Sequence, residues 1–374
     1  MNSDQPLPGT AAMTAPASFP AGRAVRRGTN QVVKAYTELL VQVRTAGLQK
    51  RRRTFYISFL CVLVLFLCAL GTGFVLLGST WFQLLLAGGL GLLLTQFAFL
   101  SHELAHHQVF SSGKVNDWFA RVLGCGVVGM SYSMWVAKHG AHHAYPNVKD
   151  KDPDIHTGVV AFHREGAETK HGLGALFTRH QGTLLFPLIT FLGISLVADS
   201  VKVLFGRRKV RYRWLELALM GLRFGAYLAA LFLMLPAGMA FAFLGVQLGV
   251  FGLYMGASFA PNHKGMPLLA ADSRADFLTR QVLTGRNIRG GYWMDTLMGG
   301  LNHQVEHHLF PDMARPQLRA ASRIVRSYCA ERGIPYTETS LFESYGIVVR
   351  YLNGVGQFSM DPFDCPMVRS FRRP

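Results

Sequence analysis

From Thr54 to Ser101 the chain carries no Asp, Glu, Lys or Arg. A helix needs about 20 apolar residues to cross the hydrocarbon of a bilayer, so this run holds two, with a turn near Gly78 to Thr80. A second apolar pair runs from about Leu215 to Ala260 and breaks at Pro236 to Gly238. The pattern predicts an all-α integral membrane protein with four transmembrane helices in two hairpins, at about 54–78, 81–101, 215–235 and 239–260. Both hairpin turns lack Lys and Arg while the outer ends are basic, which places the turns outside and both termini in the cytoplasm.

Two segments strain this pattern. Arg223 falls inside the third span, roughly 12 Å along the helix from Leu215 at 1.5 Å per residue; it either snorkels back to the interface or lines a polar cavity. The segment 183–205 has an apolar stretch too short for a span and is interrupted by Pro187, so it reads as interfacial or re-entrant. Upstream, Val32, Val33, Tyr36, Leu39, Leu40 and Val43 recur near helical spacing with Lys34, Glu38 and Arg44 between them. Residues 31–53 therefore read as an amphipathic helix on the membrane surface, ending in the basic run Lys50 to Arg53. Residues 1–30, rich in Pro, Ala, Ser and Gly, read as a disordered tail rather than a secretory signal.

Composition agrees with a membrane protein: 16% of residues are charged, against about 25% in soluble domains. The net charge of +17 then reflects cytoplasmic loops and contact with anionic lipid; no nucleic-acid motif accompanies it, and no nucleic-acid partner is expected. The five cysteines are scattered and form no CxxC, which fits a reducing compartment.

The histidines carry the chemistry. Of 14, nine fall into three clusters: His102, His106 and His107; His139, His142 and His143; His303, His307 and His308. His263 stands alone where the fourth span ends. His102 and His106 are i and i+4, as are His139 and His143, so each pair shares one helical face. His307 and His308 are adjacent and point about 100° apart on a helix, an arrangement that serves two metal ions more naturally than one. Taken strictly, His102-Glu103-Leu104-Ala105-His106 is also the H-E-x-x-H zinc-protease pattern, with Glu103 as general base. A single catalytic zinc takes three protein ligands, however, and the clusters offer at least eight imidazoles, enough for two ions of higher coordination. Asp150, Asp152 and Asp154 do not form a calcium loop, because Ile155 and Ala161 stand where Gly and Glu are needed; they suit caps or the second nitrogens of ligating histidines.

"HELAHH", "HGAHH" and "QVEHH" resemble the three histidine boxes of membrane fatty acid desaturases, and "NVKDKDPDI", "GRNI" and "LNHQVEHHLFP" resemble the sequence around those boxes. The resemblance covers roughly residues 31–330, with 54–330 as the membrane and catalytic domain and 331–374 as a C-terminal cytosolic segment. It implies four membrane helices under a cytosolic helical cap that holds a non-haem di-iron centre. The implied ligands are His102, His106, His139, His142, His143, His263, His307 and His308. His107 is a further candidate ligand. The head of box three carries Gln304 rather than His, so a ninth ligand is open between Gln304, directly or through a water, and His303. Gln at that place resembles the front-end desaturases, which act toward the carboxyl end. No H-P-G-G cytochrome motif is present, so the resemblance implies an external electron donor, for which an acidic ferredoxin with its reductase is the expectation.

The implied reaction is oxygen-dependent desaturation of a long acyl chain carried as a lipid or on coenzyme A. Regioselectivity then rests on an apolar tunnel, for which Trp135, Tyr132, Phe259 and Trp293 are candidate linings, while Lys138, Arg286 and Asn287 are candidates for holding an anionic head group. A hydroxylase or ketolase with the same boxes, the zinc protease and a metal transporter are the competing readings.

Overall fold

The computed structural model describes residues 29–207, 209–358, 360–369 and 371; the expected tail at 1–30 lies almost wholly outside them. The helices are α1 (Thr29–Thr45), α2 (Arg53–Leu77), α3 (Gln83–Ala105), α4 (Gly113–Arg121), α5 (Tyr132–Ala144), α6 (Arg164–Glu168), α7 (Gly172–Arg179), α8 (Leu185–Ile189), α9 (Leu192–Phe205), α10 (Arg213–Met234), α11 (Ala237–His263), α12 (Phe277–Thr284), α13 (Tyr292–Leu297), α14 (Gln304–Leu309), α15 (Arg315–Glu331), α16 (Leu341–Gly356) and α17 (Pro366–Arg369). Among the described residues, strands are confined to a two-residue parallel pairing of Asn287–Ile288 with Glu338–Thr339.

Among the described residues four helices, α2, α3, α10 and α11, are long and apolar enough to cross a membrane. They form two hairpins, and the hairpin turns meet where Ser79 Oγ donates to the Met234 carbonyl. The inner helices α3 and α11 pack closely because Gly91 has no side chain: a Cβ there would lie 2.8 Å from the Gln247 carbonyl oxygen. α2 and α10 stay largely exposed along their apolar lengths, as lipid-facing helices do. α3 runs to Ala105 and α11 through Pro261 to His263, so both inner helices extend past the expected span ends and end among the histidines.

The 183–205 segment is broken into α8 and α9, and neither is long enough to span. Their junction lies against the middle of α11, where a Cβ on Gly252 would sit 2.5 Å from the Thr190 carbonyl and one on Gly256 would sit 2.7 Å from Ile189 Cβ. Gly252 is 11 residues before His263, or about 16 Å along the helix. A second break lies earlier in the chain. α4 continues into a π-helical stretch, Val122–Val128, and the chain then bends by 113° into α5. Gly129 makes the bend with φ of 89° while Phe224 Cζ would lie 2.8 Å from any Cβ. Arg223 is held by protein: its Nε donates to the Val127 carbonyl at 3.1 Å, and its guanidinium lies over Tyr227 and Phe224.

α1 also departs from expectation. Its stripe of Ala35, Leu39 and Val43 is buried with Val325, Tyr328 and Val282 of α15 and α12, so its apolar face is covered by protein and not by lipid. Tyr328 Oη donates to the Ala35 carbonyl at 2.5 Å and fixes the contact.

Candidate metal centre

Each histidine-bearing element is anchored before it presents its imidazoles. α5 is capped by Ser131, whose Oγ accepts from Met134 N and donates to the buried Glu216 at 2.6 Å. Glu216 also accepts from Ser133 Oγ and Arg121 Nε, which ties the start of α10 to the start of α5. α11 would end with bare carbonyls. Arg286 takes them, donating from Nε and Nη2 to the Pro261 carbonyl at 2.9 and 2.5 Å and from Nη2 to that of Lys264 at 2.9 Å. Asn287 holds α14: its Oδ1 accepts from Val305 N, and its Nδ2 donates to Glu306 Oε2 and to Tyr336 Oη.

Eight histidines converge in two groups: His102, His106, His139, His143 and His307 in one, and His142, His263 and His308 in the other. The adjacent His307 and His308 divide between them. In the first group His139 Nε2 lies 3.0 Å from His102 Nε2 and 2.9 Å from His106 Nε2, and His143 Nε2 lies 3.1 Å from His307 Nε2. In the second, Nε2 of His263 lies 3.3 Å from that of His142 and 3.1 Å from that of His308.

The outer nitrogens decide what these contacts mean. His142 Nδ1 meets both oxygens of Asp152 at 3.0 Å, His263 Nδ1 meets the Thr284 carbonyl at 2.8 Å, and His308 Nδ1 meets Gln281 Oε1 at 2.9 Å. All three partners are acceptors, so each Nδ1 carries the hydrogen and each Nε2 presents a lone pair. Three lone pairs aimed at one another are repulsive until a cation sits among them. The donor set therefore fits a metal ion. Asp152 and Gln281 also brace the backbone nearby, through Asn147 N and the His143 carbonyl.

Electrostatics points the same way. Burial, reinforced by neighbouring imidazoles, holds His139, His143, His307 and His308 well below the ordinary histidine value, and holds His106 at about 3. They are neutral, as ligands must be. For His142 burial also lowers the value, but the hydrogen bond and charge of Asp152, with Asp154, outweigh it and raise the net value.

Several expected site residues lie elsewhere. His107 leaves the end of α3 with φ of 58° and turns to Asp117 Oδ1 at 2.8 Å, outside both groups. His303 sits on the turn before α14 and meets Asp295 Oδ1 at 3.1 Å. Gln304 does reach the centre, with Nε2 2.8 Å from His263 Nε2. Arg286 and Asn287 are buried and fully used as braces, so neither is available to a head group. Glu103 cannot serve as a protease base: both of its oxygens are taken by Arg315, at 2.5 and 2.7 Å, in a buried pair. The outer braces Gln281, Thr284 and Glu306 had no sequence signal.

An apolar cavity of about 520 Å³ adjoins the histidines. Phe99, Trp135, Met255 and Phe259 line it beside His102, His139 and His263, and it reaches Ile189 and Phe191 at the α8–α9 junction. Trp135 stacks on His139 with ring centroids 4.2 Å apart. Lys138 and Asp154, 3.4 Å apart, form its polar end with His156. Of the other candidate linings, Trp293 is largely exposed and Tyr132 instead donates to Asp117 at 2.7 Å, so neither belongs to the wall.

Comparison with known proteins agrees with this geometry. The family model described as fatty acid desaturase matches residues 78–340, more than two-thirds of the chain. Among curated relatives, a Delta(8)-fatty-acid desaturase of Helianthus annuus is 28% identical over 84% of this chain and 71% of its own length. The Delta(6)-fatty-acid desaturase fat-3 of Caenorhabditis elegans is 28% identical over 87% and 76%, and a Delta(8)-fatty-acid desaturase of Borago officinalis is 29% identical over 86% and 75%. Histidines gathered at the ends of two membrane helices, opening on an apolar cavity, thus fit a metal site, and the chain belongs to the fatty acid desaturase family.

Proposed function

We propose that this desaturase holds two iron ions, one on His102, His106, His139, His143 and His307 and the other on His142, His263 and His308, and inserts a double bond near the carboxyl end of a long acyl chain. When bound, the iron pair would supply the oxidising power that an unactivated methylene requires, drawn from O2, with an external donor supplying the electrons that complete its reduction to water. The chain's own residues do the rest. Asp152, Thr284 and Gln281 hold the imidazoles in the tautomer that faces inward. Phe99, Trp135 and Phe259 exclude water and fix the depth of the acyl chain.

Among the described residues, Lys138, Asp154 and Lys264 make the charged end of that cavity near His139, so a substrate head placed there presents methylenes close to the head. That supports carboxyl-side selectivity, as do the relatives named for Delta(5), Delta(6) and Delta(8) positions. The histidine centre and its two hairpin turns lie at opposite ends of the spans. The basic outer ends of the hairpins support a centre facing the cytoplasm, where an acidic ferredoxin suits the net charge.

The single observation that carries this reading is the division of the adjacent His307 and His308 between two all-nitrogen groups. The test is expression in a host that lacks the activity, with gas chromatography of its fatty acids and iron and zinc analysis of the purified protein. Two irons per chain and a new unsaturated product lost in His142→Ala are expected. One equivalent of zinc, or an oxygenated product, would overturn it.

A further inference from the structure

The two histidine groups are unequal: one offers five nitrogens, the other three. Imidazole-binding ions that accept five or six ligands are nearly satisfied by the first group and keep open positions at the second. Gln304 stands beside that second group. It is buried, lines the cavity and sits on α14 four residues before His308, on the same helical face.

The amide has a defined direction. Asn262 Nδ2 donates to the Ser258 carbonyl at 3.0 Å and to Gln304 Oε1 at 3.2 Å, which uses both of its hydrogens. Reversing Gln304 would set one NH2 against another, and reversing Asn262 would set its oxygen against the Ser258 carbonyl. Gln304 therefore turns its oxygen toward Asn262 and its NH2 toward His263 Nε2, 2.8 Å away. An amide that bound a metal would have to present oxygen. Once a cation occupies the His263 lone pair, the Gln304 N–H has no acceptor left on the ring and faces whatever small molecule is bound beside it.

We propose that Gln304 is not a metal ligand but a hydrogen-bond donor to a small oxygen- or nitrogen-atom ligand in the open position of the three-histidine group, and that Asn262 is the positioning residue that fixes its direction. The proposal rests on the two-metal reading above.

The probe is azide, titrated into the oxidised, iron-loaded full chain in detergent and followed by its charge-transfer absorption, alongside iron content per chain. The unmodified protein first reports on the two-metal reading itself: two irons and an azide complex are required before Gln304 is tested. Gln304→Leu is expected to keep both irons and weaken azide binding about tenfold, the effect of one lost hydrogen bond to a charged group. Asn262→Leu, which leaves Gln304 in place but unaligned, is expected to keep both irons and weaken azide binding less. If Gln304→Leu does not fold, Asn262→Leu carries the test alone. Loss of one iron in folded Gln304→Leu makes Gln304 a ligand and overturns the proposal, as does unchanged azide affinity, with iron retained, in every variant that folds.

Discussion

Glu103 is the residue on which a protease and a desaturase architecture disagree most sharply. Its carboxylate forms two hydrogen bonds with Arg315, at 2.5 and 2.7 Å, with both side chains at most 4% exposed. Around the pair, Tyr56 Oη accepts from Arg315 N and donates to Gln108 Oε1, and the guanidinium lies 4.8 Å from the Phe59 ring centroid. The pair thus knots α2, α3 and α15 together between His102 and His106. Glu103→Gln keeps one acceptor but leaves the Arg315 charge buried without a counter-charge. Breaking a buried pair from one side costs about 3–5 kcal/mol; with one hydrogen bond retained, the lower end, about 3 kcal/mol, is expected. Replacing both partners by leucine removes the stranded charge and should recover most of that loss. The assay is a double-mutant cycle of Glu103→Leu, Arg315→Leu and the leucine pair on the metal-free chain, with Glu103→Gln beside it, read as soluble protein remaining after heating, with iron content measured on separately loaded samples. Reduced stability in both single variants with recovery in the pair supports a structural knot. A Glu103→Gln variant as stable and iron-loaded as the parent, yet inactive, refutes the reasoning and restores Glu103 as a base.

Other outcomes follow from the braces. Asp152→Ala removes the acceptor for His142 Nδ1 and should weaken metal binding at the three-histidine group by about 10–100-fold, measured as iron retained against a chelator, with the five-histidine group keeping its ion. Arg286→Ala strips the Pro261 and Lys264 carbonyls of three hydrogen bonds and should destabilise the chain by about 1–3 kcal/mol, seen as earlier thermal loss of monomer. Gly252→Ala forces a Cβ to within 2.5 Å of the Thr190 carbonyl and should cost about 1–3 kcal/mol by overpacking, with activity falling as α8 shifts from the cavity wall. Acidification should empty the three-histidine group first: His142, raised by Asp152, takes a proton at higher pH than its lowered neighbours, and protonation competes with metal. For the metal-free fold the sign is opposite. The raised His142 value contributes stability that is present below the ordinary histidine range and is lost as pH rises through the folded value. Iron content and thermal stability across pH 5 to 8 (roughly the range where histidine titrates) separate the two effects.

The four spans were legible because charge cannot be hidden in hydrocarbon: a run without Asp, Glu, Lys or Arg from Thr54 to Ser101 has few other uses. The histidines were legible through spacing, since i and i+4 on a helix must share a face, and adjacent residues must not. Failures arose where a polar residue could serve either a ligand or the backbone. Arg286 and Asn287 stand between His263 and the third box in sequence, as head-group binders could, yet helix ends leave carbonyls that need donors, and those ends are where the histidines sit. His107 and His303 flank true cluster members and were drawn off by Asp117 and Asp295, carboxylates that nothing in their spacing ties to them. The stripe on α1 was read correctly as apolar, but periodicity does not say whether lipid or protein covers it. Val122–Val128 is a short apolar run that does not announce the 113° bend at its end.

The same physics explains why the centre lies where it does. Imidazoles need neighbours that hold their outer nitrogens, and lipid offers none. The inner helices α3 and α11 are the two spans most enclosed by protein, and only their ends reach the cap, where Asp152, Gln281 and the Thr284 carbonyl are available. Moving His263 one turn earlier on α11 would carry it about 5 Å toward the hydrocarbon, away from Thr284 and into the apolar wall that the acyl chain needs. Metal site and cavity are therefore adjacent by necessity: the last turn of each inner span is polar enough to bind a cation, and the turn before it, at Phe99 and Phe259, is apolar enough to keep water from the substrate.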